Sequence, residues 1–223
     1  MLGNLFCPGL LDTGPVTDTL MAVRGGMMNF YILKSPGGLI CIDTGWRSAC
    51  VTKGFKDLAL NIRDVTAVFL THFHWDHARS LPLFAHAEIF VGDRELPSFF
   101  IKRSIGTRHL NRVNGNQTLA MGGLTIRVIG TPGHTTGAVS YVIDDNLLFT
   151  GDTLRLKCGK VLPFLSWFNK DEKVLHHSIR KLAGIKGIEC LLTAHNGLSR
   201  DVEKAFAEWG QSADDSRPGG CRS

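Results

Sequence analysis

A chain of 223 residues, 43% hydrophobic and 20% charged, has the balance of an ordinary soluble globular protein and the length for one generous domain. No apolar run approaches the roughly 20 residues that span a bilayer, so a membrane helix is excluded. A formal charge of +5 tolerates anionic partners without requiring nucleic acid, and no nucleic-acid motif accompanies it.

The first residues, Met1 to Pro8, are apolar but have neither a basic n-region nor a small-residue cleavage site, so a cytoplasmic location is expected. Phe30–Leu33 and Leu39–Ile42 read as strands around the turn Ser35-Pro36-Gly37-Gly38. Val51, Phe55 and Leu58 give residues 47–60 helical spacing. Val65–Leu70 reads as a short buried strand, Asp76–Phe84 as a helix and Glu88–Val91 as another strand. The basic residues Lys102, Arg103, Arg108 and Arg112, beside Phe99 and Phe100, form a solvated face or one wall of a substrate entrance. Strands follow at Leu124–Ile129, Val139–Ile143, Leu147–Thr150 and Cys190–Thr193, with helices near 171–183 and 199–209. Sheets with appended helices in both halves suggest a layered α/β protein, two sheets face to face with helices outside. One domain is expected over residues 1–211, with a polar, Gly/Pro-rich, disordered tail at 212–223. The six cysteines are scattered, without a C-x-x-C pair, and read as free thiols.

The chemistry concentrates at the ends of strands. Thr71-His72-Phe73-His74-Trp75-Asp76-His77 follows the apolar strand through Leu70. His72 and His74 lie two apart, so in extended backbone they point to one side. Asp76 and His77 open the following helix. Imidazole nitrogens with carboxylate oxygens suit zinc, iron or manganese. Three further turns repeat the arrangement: Gly133-His134 after one strand, Gly151-Asp152 after another, and Ala194-His195 after a third. Each alone reads as an ordinary turn. Together with the histidine cluster they read as one metal site.

The series His-x-His-x-Asp-His, Gly-His, Gly-Asp and a late His resembles the metallo-β-lactamase superfamily. That resemblance implies an αββα four-layer sandwich of two mixed sheets with helices outside. It implies two divalent metal ions, zinc first and iron or manganese as alternatives. His72, His74 and His134 would hold one ion, Asp76, His77 and His195 the other, with Asp152 bridging. Asp43, in Ile42-Asp43-Thr44-Gly45, matches the family's early Asp and would orient the histidine cluster; read alone, it is a turn-starting Asp. Asp76 and Asp152 would act in catalysis by a metal-bridging hydroxide on a small-molecule thioester, ester or lactone. The bridging Asp152 stands where true β-lactamases of this family carry other groups, which argues against antibiotic hydrolysis. Leu70 to Ala78 and Gly151 to Leu154 look closest to glyoxalase II. Lys160, after Cys158-Gly159, is by that likeness a substrate-binding residue, with a solvated lysine as the plain alternative. The substrate-binding Tyr of the acyl homoserine lactonases has no counterpart, and Arg155 lies near its place. The rival reading is an iron persulfide dioxygenase using only His72, His134 and Asp152. His86, His109, His176 and His177 match nothing in the family. The sequence leaves the oligomeric state open.

Overall fold

The strand from Asn29 to Ser35 is buried on both faces over its first five residues, which a sheet covered on one side only would not allow. Phe30 and Ile32 point to one side, into a core that includes Val51 and Phe55. Tyr31 and Leu33 point to the other, against Ile126, Val128 and Tyr141. The alternation of one continuous apolar run therefore supplies two separate cores. The computed structural model of the protein describes residues 9–210, and among these residues the architecture is helix, sheet, sheet, helix.

The first sheet has seven strands in chain order. They are β1 (Gly14–Pro15), β2 (Leu20–Arg24), β3 (Asn29–Ser35), β4 (Gly38–Ile42), β5 (Val65–Leu70), β6 (Glu88–Gly92) and β7 (Leu110–Val113). β1 to β4 pair antiparallel, and β4 to β7 pair parallel. The parallel connections carry helix α1 (Ser48–Asp57), the short α2 (Trp75–Ala78) with a 3₁₀ turn at Leu81–Phe84, and α3 (Phe99–Ile105). The second sheet joins β8 (Thr118–Met121), β9 (Leu124–Gly130), β10 (Val139–Ile143) and β11 (Leu147–Phe149) to the later β14 (Cys190–Leu192) and β15 (Leu198–Ser199). Its outer face is covered by α4 (Glu172–Ala183), α5 (Val202–Ala205) and the hairpin β12 (Leu154–Lys157) and β13 (Lys160–Pro163). Leu175, Ile179 and Leu182 form the buried stripe of α4. Asp171 caps that helix by accepting from the Val174 amide at 3.0 Å.

The structure corrects several expectations. The helix expected over Asp76–Phe84 breaks after Ala78, because the β4–α1 loop takes its hydrogen-bonding groups. The carbonyl of His77 accepts from the Thr44 amide at 2.8 Å, and the Ser80 amide donates to Gly45. Pro82 then starts a separate turn, having no amide to donate. The helix expected over 199–209 shrinks to Val202–Ala205, since Leu198 and Ser199 pair with β14 instead. β2, β7 and the β12–β13 hairpin were not anticipated from sequence. The hairpin turns on Cys158 and Gly159, both at positive φ, and its register leaves Leu154, Leu156 and Val161 against α4. No helix among the described residues is long and apolar enough to cross a membrane. The tail expected at 212–223 lies outside the described residues.

The chain has two tyrosines, and each crosses between the sheets. Tyr31 of the first sheet donates its hydroxyl to the Thr193 carbonyl at 2.7 Å. Tyr141 of the second donates to the Leu70 carbonyl, also at 2.7 Å. Both phenols are buried, and burial raises the pKa of each, so they act as neutral donors. Tyr31→Phe and Tyr141→Phe should each destabilise the fold by about 1–1.5 kcal/mol, the usual worth of such a bond. Urea denaturation at matched metal content measures this. Losses below about 0.3 kcal/mol in both variants would show that the two hydroxyls do not tie the sheets together.

Candidate metal centre

The residues that follow the strand ends converge at one edge of the sandwich. β5 delivers Thr71, His72 and His74, and α2 begins with Trp75, Asp76 and His77. The β9–β10 turn delivers His134, the turn after β11 Asp152, and the turn after β14 His195. Glycine permits two of these approaches. Gly151 has φ 52°, and a Cβ there would lie 2.5 Å from the Thr71 hydroxyl. Gly133 has φ 131°, and its Cβ would lie 2.4 Å from the backbone of Leu175. Larger residues would push both turns off their neighbours.

The seven side chains form two groups that share one member. His72, His74, His134 and Asp152 make the first, and Asp76, His77, His195 and Asp152 the second, the donor atoms of each lying within 4.8 Å of one another. Asp152 turns a different oxygen to each group. Its Oδ2 lies 3.5 Å from His134 Nε2 and 3.9 Å from His72 Nε2. Its Oδ1 lies 3.3 Å from His195 Nε2 and 3.4 Å from His77 Nε2. Asp76 Oδ2 is 3.3 Å from His195 Nε2.

The imidazoles are held from behind. His77 Nδ1 is 2.8 Å from Asp43, His195 Nδ1 is 2.9 Å from the Met27 carbonyl, and His134 Nδ1 is 3.1 Å from Asn169. The Thr71 hydroxyl contacts His72 Nδ1 at 3.0 Å. In these four residues Nε2 faces inward. His74 is turned the other way, with its Nδ1 2.9 Å from His134 Nε2. Asp43 holds φ 62°, and its carboxylate accepts from the Thr71 amide and hydroxyl at 2.8 and 2.9 Å. It thus joins the loops after β4 and β5 while fixing the direction of the His77 ring.

The nitrogens His72 Nε2 and His77 Nε2 and the oxygen Asp152 Oδ1 are buried without a hydrogen-bond partner. Three unpartnered polar atoms so close together would be costly in a finished protein core. Divalent metal held by the two groups would satisfy them, His72 in the first group and His77 with Asp152 Oδ1 in the second, and the nitrogen-plus-carboxylate donor set suits zinc, iron or manganese. The site's electrostatics agree. Burial raises the Asp152 carboxyl, but His195 and His77 outweigh it and hold the group well below the ordinary range. Burial, then the neighbouring histidines, keep His72 well below an ordinary imidazole, and His74 is lowered to about 4, chiefly by burial. His134 is lowered by burial. His77 is buried too, yet Asp152, Asp43 and Asp76 raise it well above the ordinary value.

Some expected residues are elsewhere. Lys160 is exposed on β13 and pairs with Glu208 at 2.6 Å; neither metal group nor the adjoining cavity includes it. His176 packs on the Trp209 ring, and His86, His109 and His177 belong to neither group. Lys102, Arg103, Arg108 and Arg112 do not line the cavity beside His74 and His134. Arg108 spends its guanidinium on the carbonyls of Leu81, Ser104 and Ile105, and Arg112 on those of Gly92 and Glu95. The cations that do line the cavity are Arg94 and Lys170.

Sequence reasoning also missed Glu95 and Phe164. Glu95 is buried, and its carboxylate accepts from the Phe73 amide and the Thr135 hydroxyl. It therefore links the His72–His74 segment to the His134 turn. Its place just past β6, at the same strand-end edge as the histidines, was the available signal. Phe164 lays its ring 5.1 Å from His134 and 5.4 Å from His195. No local pattern marks it.

Residues 23–195 match the sequence profile described as "Metallo-beta-lactamase superfamily". Among curated proteins, the chain is 35% identical over 135 residues to "Probable polyketide biosynthesis zinc-dependent hydrolase BaeB" of Bacillus velezensis, covering 58% of this chain and 56% of that protein. It is 32% identical over 131 residues to the hydroxyacylglutathione hydrolase of Brucella ovis, covering 57% and 47%. The chain thus spans about half the length of these relatives. A metallo-beta-lactamase family protein from Thermus thermophilus superposes with a TM-score of 0.68 at 19% identity, covering 87% of this chain and 79% of that one. A superfamily protein from Sulfolobus tokodaii gives 0.63 at 19%, covering 93% and 91%. At such identities the structures attest the fold alone, and that fold is the expected αββα sandwich.

The displaced imidazole titrations predict how metal-free protein responds to pH. His72, His74 and His134 have folded values below the ordinary 6.5. Below about pH 6.5 the unfolded chain takes up their protons first, so their contribution is lost as pH falls towards 4. His77 has the opposite sign: its contribution is complete below 6.5 and is lost as pH rises through its raised folded value. Thermal melts in chelator should therefore show greatest stability near neutrality, with a decline on each side. Metal-loaded protein should decline less on the acid side, because bound ligands resist protonation. Stability of the metal-free form that rises steadily from pH 7 down to pH 5 would contradict these assignments.

Proposed function

The chain belongs to the metallo-β-lactamase superfamily, and on that premise we propose that it is a hydrolase of small carbonyl substrates working with two divalent metal ions, zinc foremost. The observation that carries this reading is the division of Asp152, one oxygen toward each histidine group. His72, His74 and His134 would hold one ion, Asp76, His77 and His195 the other, with Asp152 between them. The names of BaeB and of the hydroxyacylglutathione hydrolase, both hydrolases, support the reaction class.

When bound, such a pair of ions polarises a carbonyl and lowers the pKa of water. The chain's own residues do the rest. Asp76 is less deeply buried than Asp152, and its position beside His195 suits it to orient the attacking water and take its proton. Asp43, Asn169 and the Met27 carbonyl keep the imidazoles in one tautomer and direction. The overall change is balanced: water adds its oxygen to the acyl carbon, the carbon–sulfur or carbon–oxygen bond breaks, and the leaving thiol or alcohol takes a proton. No Ser or Cys nucleophile is required. A thioester, ester or lactone satisfies this chemistry.

Elemental analysis should find two first-row metal ions per chain. Asp152→Ala should lower that content and cut kcat at least about 10³-fold, while His176→Ala leaves both unchanged. One ion per chain, with His77 and His195 uncoordinated in a metal-loaded structure, would favour the single-iron oxygenase reading.

Under strict anaerobiosis the zinc-loaded protein should cleave activated thioesters, esters or lactones, with the rate falling below about pH 7, where water acidified by metal regains its proton. Little β-lactam cleavage is expected. Oxygen uptake stoichiometric with loss of a glutathione persulfide, without hydrolysis across the panel, would replace this assignment.

A further inference from the structure

Three of the most exposed large apolar side chains in the structure line a single cavity. They are Leu96, Trp167 and Phe168, at 82%, 79% and 54% exposure. The cavity measures about 540 Å³, and His74 and His134 belong to its lining. These three exposed residues come from two unrelated segments, the β6–α3 loop and the stretch between β13 and α4. Exposed apolar surface has to be explained when it is contiguous, and more so when it is concave.

This surface is continuous with the metal centre. The Phe164 ring touches both His134 and His195. Phe168 lies 6.0 Å beyond it, and Trp167 6.3 Å beyond Phe168. The aromatic series therefore begins against ligands from both metal groups and runs outward to a nearly bare indole. A substrate whose carbonyl reached the ions would have its acyl substituent beside this series. A second protein molecule would meet a broad flat patch more readily than a cavity floored by two metal-ligand histidines.

We propose that the cavity is the acyl subsite, and that the preferred substrates are thioesters or esters carrying an extended apolar acyl chain. This rests on the hydrolase reading given above. Complete burial of one methylene is worth about fourfold in binding. The cavity is open on one side, so roughly twofold per methylene is expected.

The test uses zinc-loaded protein and a series of N-acetylcysteamine thioesters from acetyl to octanoyl, all below their micelle concentrations. The value of kcat/KM should rise roughly twofold per methylene, mainly through KM. Trp167→Ala and Phe168→Ala should flatten that dependence to less than half its slope. Calorimetry with octanoate and acetate reads the same subsite without turnover. Octanoate should bind at least tenfold more tightly than acetate to the parent protein, and the two should bind about equally to the Trp167→Ala/Phe168→Ala double variant.

Hydrolysis that is indifferent to chain length, with octanoate no tighter than acetate, overturns the proposal and leaves the hydrolase reading standing. Tight octanoate binding that depends on Trp167, without hydrolysis of any thioester, supports the apolar subsite and removes the hydrolase reading. A change of molecular mass in the Trp167 and Phe168 variants, with the chain-length slope untouched, overturns the proposal and makes the apolar rim an interface between copies of the chain.

Discussion

A buried carboxylate organises this molecule. Asp152 is almost entirely removed from water, and a lone charge in such a place is prohibitively costly. Here it lies among imidazoles from three separate segments of chain, near enough to His72, His77, His134 and His195 to share its charge with each. The arrangement is costly in both directions. Burial makes His72, His74 and His134 resist protonation, and the orphaned nitrogens of His72 and His77 have no hydrogen-bond partner. Cations between the two groups relieve both difficulties at once, so the geometry reads as a site built around charge that the chain itself does not supply.

The two sheets share the construction. The first contributes the histidine cluster after β5 and the Asp43 loop after β4. The second contributes His134, Asp152 and His195. A sandwich can keep such groups in register only if the sheets do not slide. The apolar middle layer resists separation but has no direction. The two tyrosine hydroxyls provide direction, and the carbonyls they bind belong to Leu70 and Thr193, immediately ahead of the His72 and His195 segments. The packing of the core and the aim of the ligands are in this way one problem with one solution.

Outside the ligand set, the loops divide the labour. Glu95 and Asp43 tie ligand-bearing segments to one another from behind. Leu96, Trp167 and Phe168 face outward and contribute little to holding the fold. A buried polar centre thus lies beside an exposed apolar rim, and on the proposed reading the first would decide which bond is attacked and the second which molecules present it. Fold likeness to distant relatives therefore says little about substrate.

Read by itself, the sequence determined the strands from β3 to β6 and from β9 to β11, because continuous apolar runs bounded by Gly and Pro admit few other structures. It also pointed to the seven metal-competent side chains, since His and Asp at the ends of buried strands leave a strong local pattern. Tertiary structure decided what has no local pattern. The helix expected over Asp76–Phe84 breaks because Thr44 and Gly45, far away in the chain, take its hydrogen-bonding groups. The Cys158-Gly159 hairpin forms on the helical side of the second sheet, where α4 gives its apolar face something to cover. Lys160, placed near the site by likeness alone, is drawn to Glu208 by strand register. Glu95 and Phe164 reach the centre only because separate segments meet there. Proximity across the chain is a property of packing, and a single sequence records it only where it repeats along the backbone.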